Sequence, residues 1–138
     1  MKDKNLNKDE PIVIAIGASA GGLEALTEFF DDIPEKSPYC FVIIQHLSPD
    51  HKSYTDELLG KKTNIPITEA QDGKLLEKHH IYVVPSTKNL KIKSGKISLE
   101  DKPKGRVLNL PIDIFFESVS ASHKERVVAI VVSGTGSD

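Results

Sequence analysis

Residues 12–16 read Ile-Val-Ile-Ala-Ile, and after the glycine-rich stretch behind them the apolar period changes: Leu23, Leu26, Phe29, Phe30 and Ile33 recur at helical spacing until Pro34. A continuous, mostly β-branched run offers no polar face to water, so it predicts a strand buried on both sides, as in the interior of a parallel sheet. Gly17 bounds that run, and Pro34 stops the helical pattern. Strand, glycine turn and helix follow one another within about two dozen residues, an order that favours layered α/β architecture.

The unit then recurs. Residues 40–45 predict a second strand, followed by His46-Leu47-Ser48-Pro49 and a short helix around Tyr54, Leu58 and Leu59, with Ser53 and Asp56 suited to its first turn. Residues 65–69 predict a third strand ended by the Asp72-Gly73 turn, and residues 81–84 a fourth, halted by Pro85. Residues 90–99 alternate on both sides of Ser94-Gly95, which predicts an antiparallel hairpin with one wet face, at a sheet edge or as a flap. Residues 100–110 are charged and contain Pro and Gly, a surface loop. Pro111 opens a helix on Ile112, Phe115, Phe116 and Val119, at the position where proline is tolerated. Residues 127–132 form the last strand and run into Ser133-Gly134-Thr135-Gly136-Ser137-Asp138. The expected fold is α/β: a three-layer, doubly wound, mostly parallel sheet (Rossmann-like) with a β-hairpin insertion.

Residues 1–10 carry one apolar side chain beyond the initial Met, Leu6, and read as a flexible polar lead-in to one domain over residues 11–138. The 18 Lys and Arg against 20 Asp and Glu leave a net charge of -2, spread along the chain. That balance gives no footprint for nucleic acid or an anionic membrane. No apolar run approaches a membrane span, so no membrane insertion is expected. Residues 12–20 imitate a short signal peptide, but Asp9, Glu10 and Pro11 stand directly before the apolar run and a folded helix follows it. The single cysteine, Cys40, opens a buried run; it excludes an internal disulfide and fits a reducing, cytoplasmic compartment.

Ligands of open parallel sheets gather beyond the carboxyl ends of the strands. Ser19 follows the first strand, His46 the second and Asp138 the last, so a hydroxyl, an imidazole and a carboxylate share one edge. In a serine triad the imidazole takes the hydroxyl proton, while the carboxylate fixes the tautomer and stabilises the imidazolium. Gly17-Ala18-Ser19-Ala20-Gly21 also fits the G-x-S-x-G nucleophile elbow, with the backbone N–H groups of Ala20 and Gly21 as oxyanion donors. Taken alone, the glycine-rich stretch favours the nucleophile turn, with a phosphate-cradling nest and a plain tight turn as alternatives. His79 and His80 precede a strand, His123 follows a helix and His51 begins one; only His46 directly leaves a buried strand. Asp50 and Asp72 are the rival acids. Neither the dinucleotide glycine pattern nor a P-loop lysine is present, and no cofactor or metal is expected.

In order and spacing, Gly17-Ala18-Ser19-Ala20-Gly21-Gly22, Gln45-His46-Leu47-Ser48-Pro49, Glu69-Ala70-Gln71-Asp72-Gly73, Tyr82-Val83-Val84-Pro85, Leu110-Pro111-Ile112-Asp113 with Phe115-Phe116, and Ser133-Gly134-Thr135-Gly136-Ser137-Asp138 resemble the catalytic domain of the chemotaxis protein-glutamate methylesterases, the CheB family. The sequence looks most like the esterase at the N-terminus of methylesterase–methyltransferase fusions. The resemblance implies hydrolysis of glutamate methyl esters on the cytoplasmic helices of chemoreceptors, often with deamidation of receptor glutamines, beside a fused or separate methyltransferase. It implies Ser19 as nucleophile, His46 as base and Asp138 as orienting acid, and it places the Thr135 N–H at the oxyanion site. Many members carry a hydroxyl residue where Ala20 stands. Family domains continue past Asp138, so the resemblance also implies a C-terminally incomplete domain with exposed apolar surface and weak or no turnover; an inactive interaction fragment and a phosphate-binding module are the alternatives.

Overall fold

The computed structural model describes residues 11–18, 22–34, 36–45, 55–93, 95–103, 111–123 and 127–132. Seven strands and three helices occur among them, in the order β1 (Ile12–Ala18), α1 (Leu23–Asp31), β2 (Tyr39–Gln45), α2 (Thr55–Gly60), β3 (Ile67–Glu69), β4 (His80–Val83), β5 (Lys88–Lys93), β6 (Lys96–Asp101), α3 (Pro111–His123) and β7 (Val127–Val132). Five strands form a sheet in the order β3-β4-β2-β1-β7. Every pairing within it is parallel. This is the α/β sheet that the alternation of buried runs and helical periods demands.

Two cores follow from the two faces of β1 and β2. Val13, Ala15, Cys40, Val42 and Ile44 pack with Phe115 and Val119 of α3 and with Leu90, Ile92 and Ile97 of the hairpin. On the opposite face Ile14, Ile16, Ala18, Phe41 and Ile43 pack with Leu26 and Phe30 of α1 and Leu59 of α2. Consecutive strand residues therefore enter different cores, so neither face of these strands tolerates a polar alternation. Phe30 and Phe41 meet edge to face at 5.0 Å between ring centroids, fixing α1 across the sheet.

β1 extends two residues beyond the expected strand. Gly17 and Ala18 remain in register with Ile44 and Gln45 on one side and with Val131 and Val132 on the other. Gly17 is thus a strand residue, and the structure shows why glycine stands there. A Cβ on it would lie 2.8 Å from Cγ2 and 2.9 Å from Cδ1 of Ile112. The first turn of α3 occupies the space a side chain would need.

The hairpin is neither a sheet edge nor a free flap. β5 and β6 form their own antiparallel ribbon, turned at Gly95 with φ +77°. Its apolar side, Leu90, Ile92 and Ile97, is buried against α3, and the Ile92 N–H donates to Ser118 Oγ at 3.2 Å. On the ribbon's wet side Lys91 and Lys93 stand 3.5 and 3.6 Å from Glu100. Asp72 ties the preceding turn to the ribbon by accepting the Leu99 N–H at 2.7 Å. At the other end of the main sheet β7 is an edge strand, and it leaves Val128 47% and Val131 70% exposed. No helix among the described residues is long and apolar enough to cross a membrane.

Candidate active site

The site is built from strand ends. Ala18, the last residue of β1, is paired with Gln45, the last of β2, and with Val132, the last of β7. Neighbouring strands run about 4.8 Å apart, so three chain segments leave the sheet level with one another across about 10 Å. Strand order adds a second constraint. The chain moves from β1 to β2 and β4 on one side of β1, then returns to place β7 on its other side. The crevice between the ends of β1 and β7 is therefore the topological switch point, where ligands of such sheets bind.

Ser19, His46, Asp138, Ala20, Gly21 and Thr135 lie outside the described residues. What the structure supplies is the frame they are attached to. Ser19 follows Ala18 in the chain and His46 follows Gln45, and Ala18 and Gln45 are level residues of adjacent strands. Thr135 and Asp138 follow Val132 by three and six residues. Helix α1 begins at Leu23, four residues beyond Ser19, with Gly22 as its N-cap and Glu24 in its first turn. Its N-terminal amides and the positive end of its dipole belong to the same edge of the sheet. The first turn of α3 comes to that edge as well, where Ile112 closes over Gly17.

The rival groups find other employment. His80 opens β4 and is paired with Cys40 near the start of β2, at the opposite edge of the sheet. Its Nε2 lies 3.0 Å from Thr68 Oγ1 and its ring stacks on Tyr82 at 4.5 Å. Burial lowers its pKa, the Glu77 carboxylate pulls it back up, and His79 lowers it further. His79 sits beside it with a left-handed φ of 58°. His51 lies outside the described residues, and His123 ends α3. Asp72 is held by the hairpin, and Asp50 is outside the described residues. Burial pushes the Cys40 thiol up to about 12, which keeps it protonated and removes it as a nucleophile. Among the described residues no group of His, Cys, Asp or Glu could hold a metal ion.

One feature of the frame has no counterpart in the strand-edge pattern. Thr55, the first residue of α2, is 1% exposed, and its Oγ1 donates a hydrogen bond to Gln45 Oε1. Only the abrupt polar end of the apolar run at Gln45 hinted at it.

The family model for CheB methylesterase matches residues 14–138. The chain belongs to the CheB methylesterase family. Among relatives of the CheB methylesterases, the protein-glutamate methylesterase/protein-glutamine glutaminase of Salmonella typhi is 33% identical over 130 residues, covering 91% of this chain and 37% of that protein. The protein of the same name from Desulfotalea psychrophila is 29% identical over 142 residues, covering 99% of this chain and 39% of its own length. The chain thus spans less than two fifths of either relative. Among solved structures, the Thermotoga maritima CheB methylesterase catalytic domain superposes with a TM-score of 0.76 at 23% identity, over 93% of this chain and 70% of that one. The fold is therefore that of a CheB catalytic domain.

Proposed function

We propose that this chain is the catalytic part of a protein-glutamate methylesterase, with Ser19 as nucleophile, His46 as general base and Asp138 as the carboxylate that orients His46. The observation that carries this reading is the common level of Ala18, Gln45 and Val132 at the switch point of the sheet. The family match over residues 14–138 supplies the reaction class.

The Ser19 hydroxyl adds to the carbonyl carbon of a glutamate γ-methyl ester as its proton passes to the His46 imidazole. The tetrahedral oxyanion takes hydrogen bonds from backbone N–H groups of Ala20, Gly21 and Thr135, beside the positive end of α1. Collapse of that intermediate breaks the C–O bond to the methoxy group, which leaves as methanol with the proton held by His46. Water then adds to the acyl-Ser19 ester, giving a proton to His46; collapse breaks the acyl C–Oγ bond, His46 returns that proton to the Ser19 oxygen, and glutamate departs as the free acid. A glutamine side chain entering the same route loses its amide nitrogen as ammonia when the C–N bond breaks and emerges as glutamate, the deamidation named for the relatives. The substrates are methylated helices of chemoreceptors on the cytoplasmic side, where a methyltransferase, fused or separate, supplies the ester.

Methanol release from a methyl-esterified receptor-helix fragment tests the reading. Turnover that is lost in Ser19→Ala and in His46→Gln supports it. Turnover that survives Ser19→Ala overturns it.

A further inference from the structure

We infer that the cavity at the β3 edge of the sheet is a docking pocket for an arginine side chain of a protein partner. β3 is three strands from β1, about 14 Å across the sheet, on the side away from β7. The inference is therefore independent of the esterase reading and stands on residues 68–82 alone.

Residues 70–79 leave β3, turn at Gly73 with φ +84° and return to β4 as a strap. The strap is stitched to the hairpin, because the Gly73 N–H donates to the Ile97 carbonyl and the Ile97 N–H to the Lys74 carbonyl, both at 2.8 Å. It is also pinned to β4, where the Tyr82 hydroxyl accepts the Glu77 N–H at 2.8 Å and donates to the Leu75 carbonyl at 3.5 Å. Between strap and strands lies a cavity of about 220 Å³, bounded by Thr68, Glu69, Lys74, Glu77, His80 and Tyr82. Pockets for drug-sized ligands run to about 300–1,000 Å³, so this one suits a single side chain. Its walls are tied in place before anything binds, and little ordering opposes binding.

Two carboxylates, Glu69 and Glu77, line the cavity against one ammonium, Lys74, so its charge complements a cation. Neither carboxylate makes an ion pair among the described residues, whereas on the neighbouring hairpin Glu100 holds Lys91 and Lys93, and Asp101 holds Lys88. A metal ion is no candidate, since no group of His, Cys, Asp or Glu among the described residues could hold one. The His80 and Tyr82 rings stack with centroids 4.5 Å apart and planes at 29°, which gives the cavity a flat aromatic wall. His80 Nε2 lies 3.0 Å from Thr68 Oγ1, and burial holds the imidazole pKa below its ordinary 6.5, so the ring brings no rival charge at neutral pH. A guanidinium is planar, weakly hydrated and able to meet a carboxylate through two parallel N–H bonds, so it uses the wall and the carboxylates together. A compact ammonium keeps its hydration and cannot stack. Leu75, 58% exposed on the rim, offers apolar surface to the methylenes of an arginine stem. The same two carboxylates repel the α-carboxylate of free arginine, which selects the side chain carried within a polypeptide.

The test is a titration of the isotope-labelled full chain, followed by backbone amide NMR, with Nα-acetyl-arginine N-methylamide, which carries the side chain between neutral peptide groups. Saturable shifts are expected within residues 68–82, with half-saturation below about 10 mM. The citrulline analogue, similar in shape but neutral, the lysine analogue and free L-arginine should each bind at least about threefold more weakly. Glu69→Gln and Glu77→Gln should each weaken the arginine probe at least about twofold, and the double variant at least about fourfold. Both side chains are exposed, and unchanged amide positions in β1 and α3 check that the variants keep the fold.

The pocket is overturned by the absence of saturable shifts below about 10 mM, by shifts that lie outside residues 68–82, or by an affinity unchanged in the Glu69→Gln/Glu77→Gln double variant. Equal binding of the citrulline or lysine analogue overturns the guanidinium assignment. Free L-arginine that binds as tightly as the capped probe overturns the assignment to a protein side chain, in favour of a small-molecule site.

Discussion

Replacing Gly17 by alanine isolates the contact that joins the strand before the proposed nucleophile to the helix opposite. The new Cβ would stand 2.8, 2.9 and 3.1 Å from Cγ2, Cδ1 and Cγ1 of Ile112. Carbon atoms in comfortable contact are about 3.5–4.0 Å apart, so α3 or β1 must yield about 0.7 Å. Ile112 is β-branched and stiff at χ1, and Gly17 is paired on both sides, with Ile44 and Val131, so neither partner yields freely. Overpacking of this kind costs about 1–3 kcal/mol, and the smaller entropy of unfolded alanine returns about 0.4–1 kcal/mol. A net loss of about 1–2 kcal/mol is expected by urea unfolding, a melting shift of a few degrees for a domain of this size. Ile112→Ala deletes all three clashing atoms. The double variant Gly17→Ala/Ile112→Ala should therefore be more stable than the sum of the single losses by about 1 kcal/mol. Additive losses to within about 0.5 kcal/mol, or a Gly17→Ala chain as stable as the wild type, would refute the close-approach reasoning.

Three further outcomes follow from groups away from the site. His79→Gly should stabilise the chain by about 1 kcal/mol in urea unfolding, because the left-handed φ of 58° strains a side-chain-bearing residue and His79 Nδ1 is buried with no partner among the described residues; a destabilised variant would show that the imidazole packing outweighs the strain. With its thiol pushed up to about 12, Cys40 should resist iodoacetamide in the native chain at about pH 8 and react only at the rate of unfolding, read by mass spectrometry. Burial first, then the balance of Glu77 and His79, leaves the His80 pKa below its ordinary 6.5. The unfolded chain then takes up this proton first, so the stability from neutral His80 is present above pH 6.5 and is lost as pH falls through the folded value; His80→Gln should flatten that decline in urea unfolding at a series of pH values.

Much of this fold was legible because its elements carry their own periods. The run at 127–132 is apolar throughout and became β7 with those bounds, and Pro111 opens α3 where proline is tolerated. That β1 and β2 end at one edge of the sheet followed from strand direction alone. Other features depend on partners that local sequence does not reveal. Gly17 looked like the end of a strand, since nothing nearby in the sequence announces Ile112, almost a hundred residues on, in its Cβ space. The hairpin's alternation told which side is wet, but its seat against Ser118 and Phe115 belongs to tertiary packing. Strand 3 begins at Ile67, after Pro66, although Ile65 is buried and continues the apolar pattern. The Thr55–Gln45 bond is a pairing of two ordinary polar residues, visible only once α2 is folded onto the sheet.

The central claim is that Ser19 is a base-activated nucleophile at the shared end of β1, β2 and β7. Its most direct measurement is peptide mapping of the full chain after reaction with a fluorophosphonate ester, in the wild type and in His46→Gln. The account predicts one adduct per chain, located on Ser19, with labelling slowed at least about a hundredfold in His46→Gln. An adduct on another residue, no adduct at all, or equal labelling of Ser19 without His46 would contradict it.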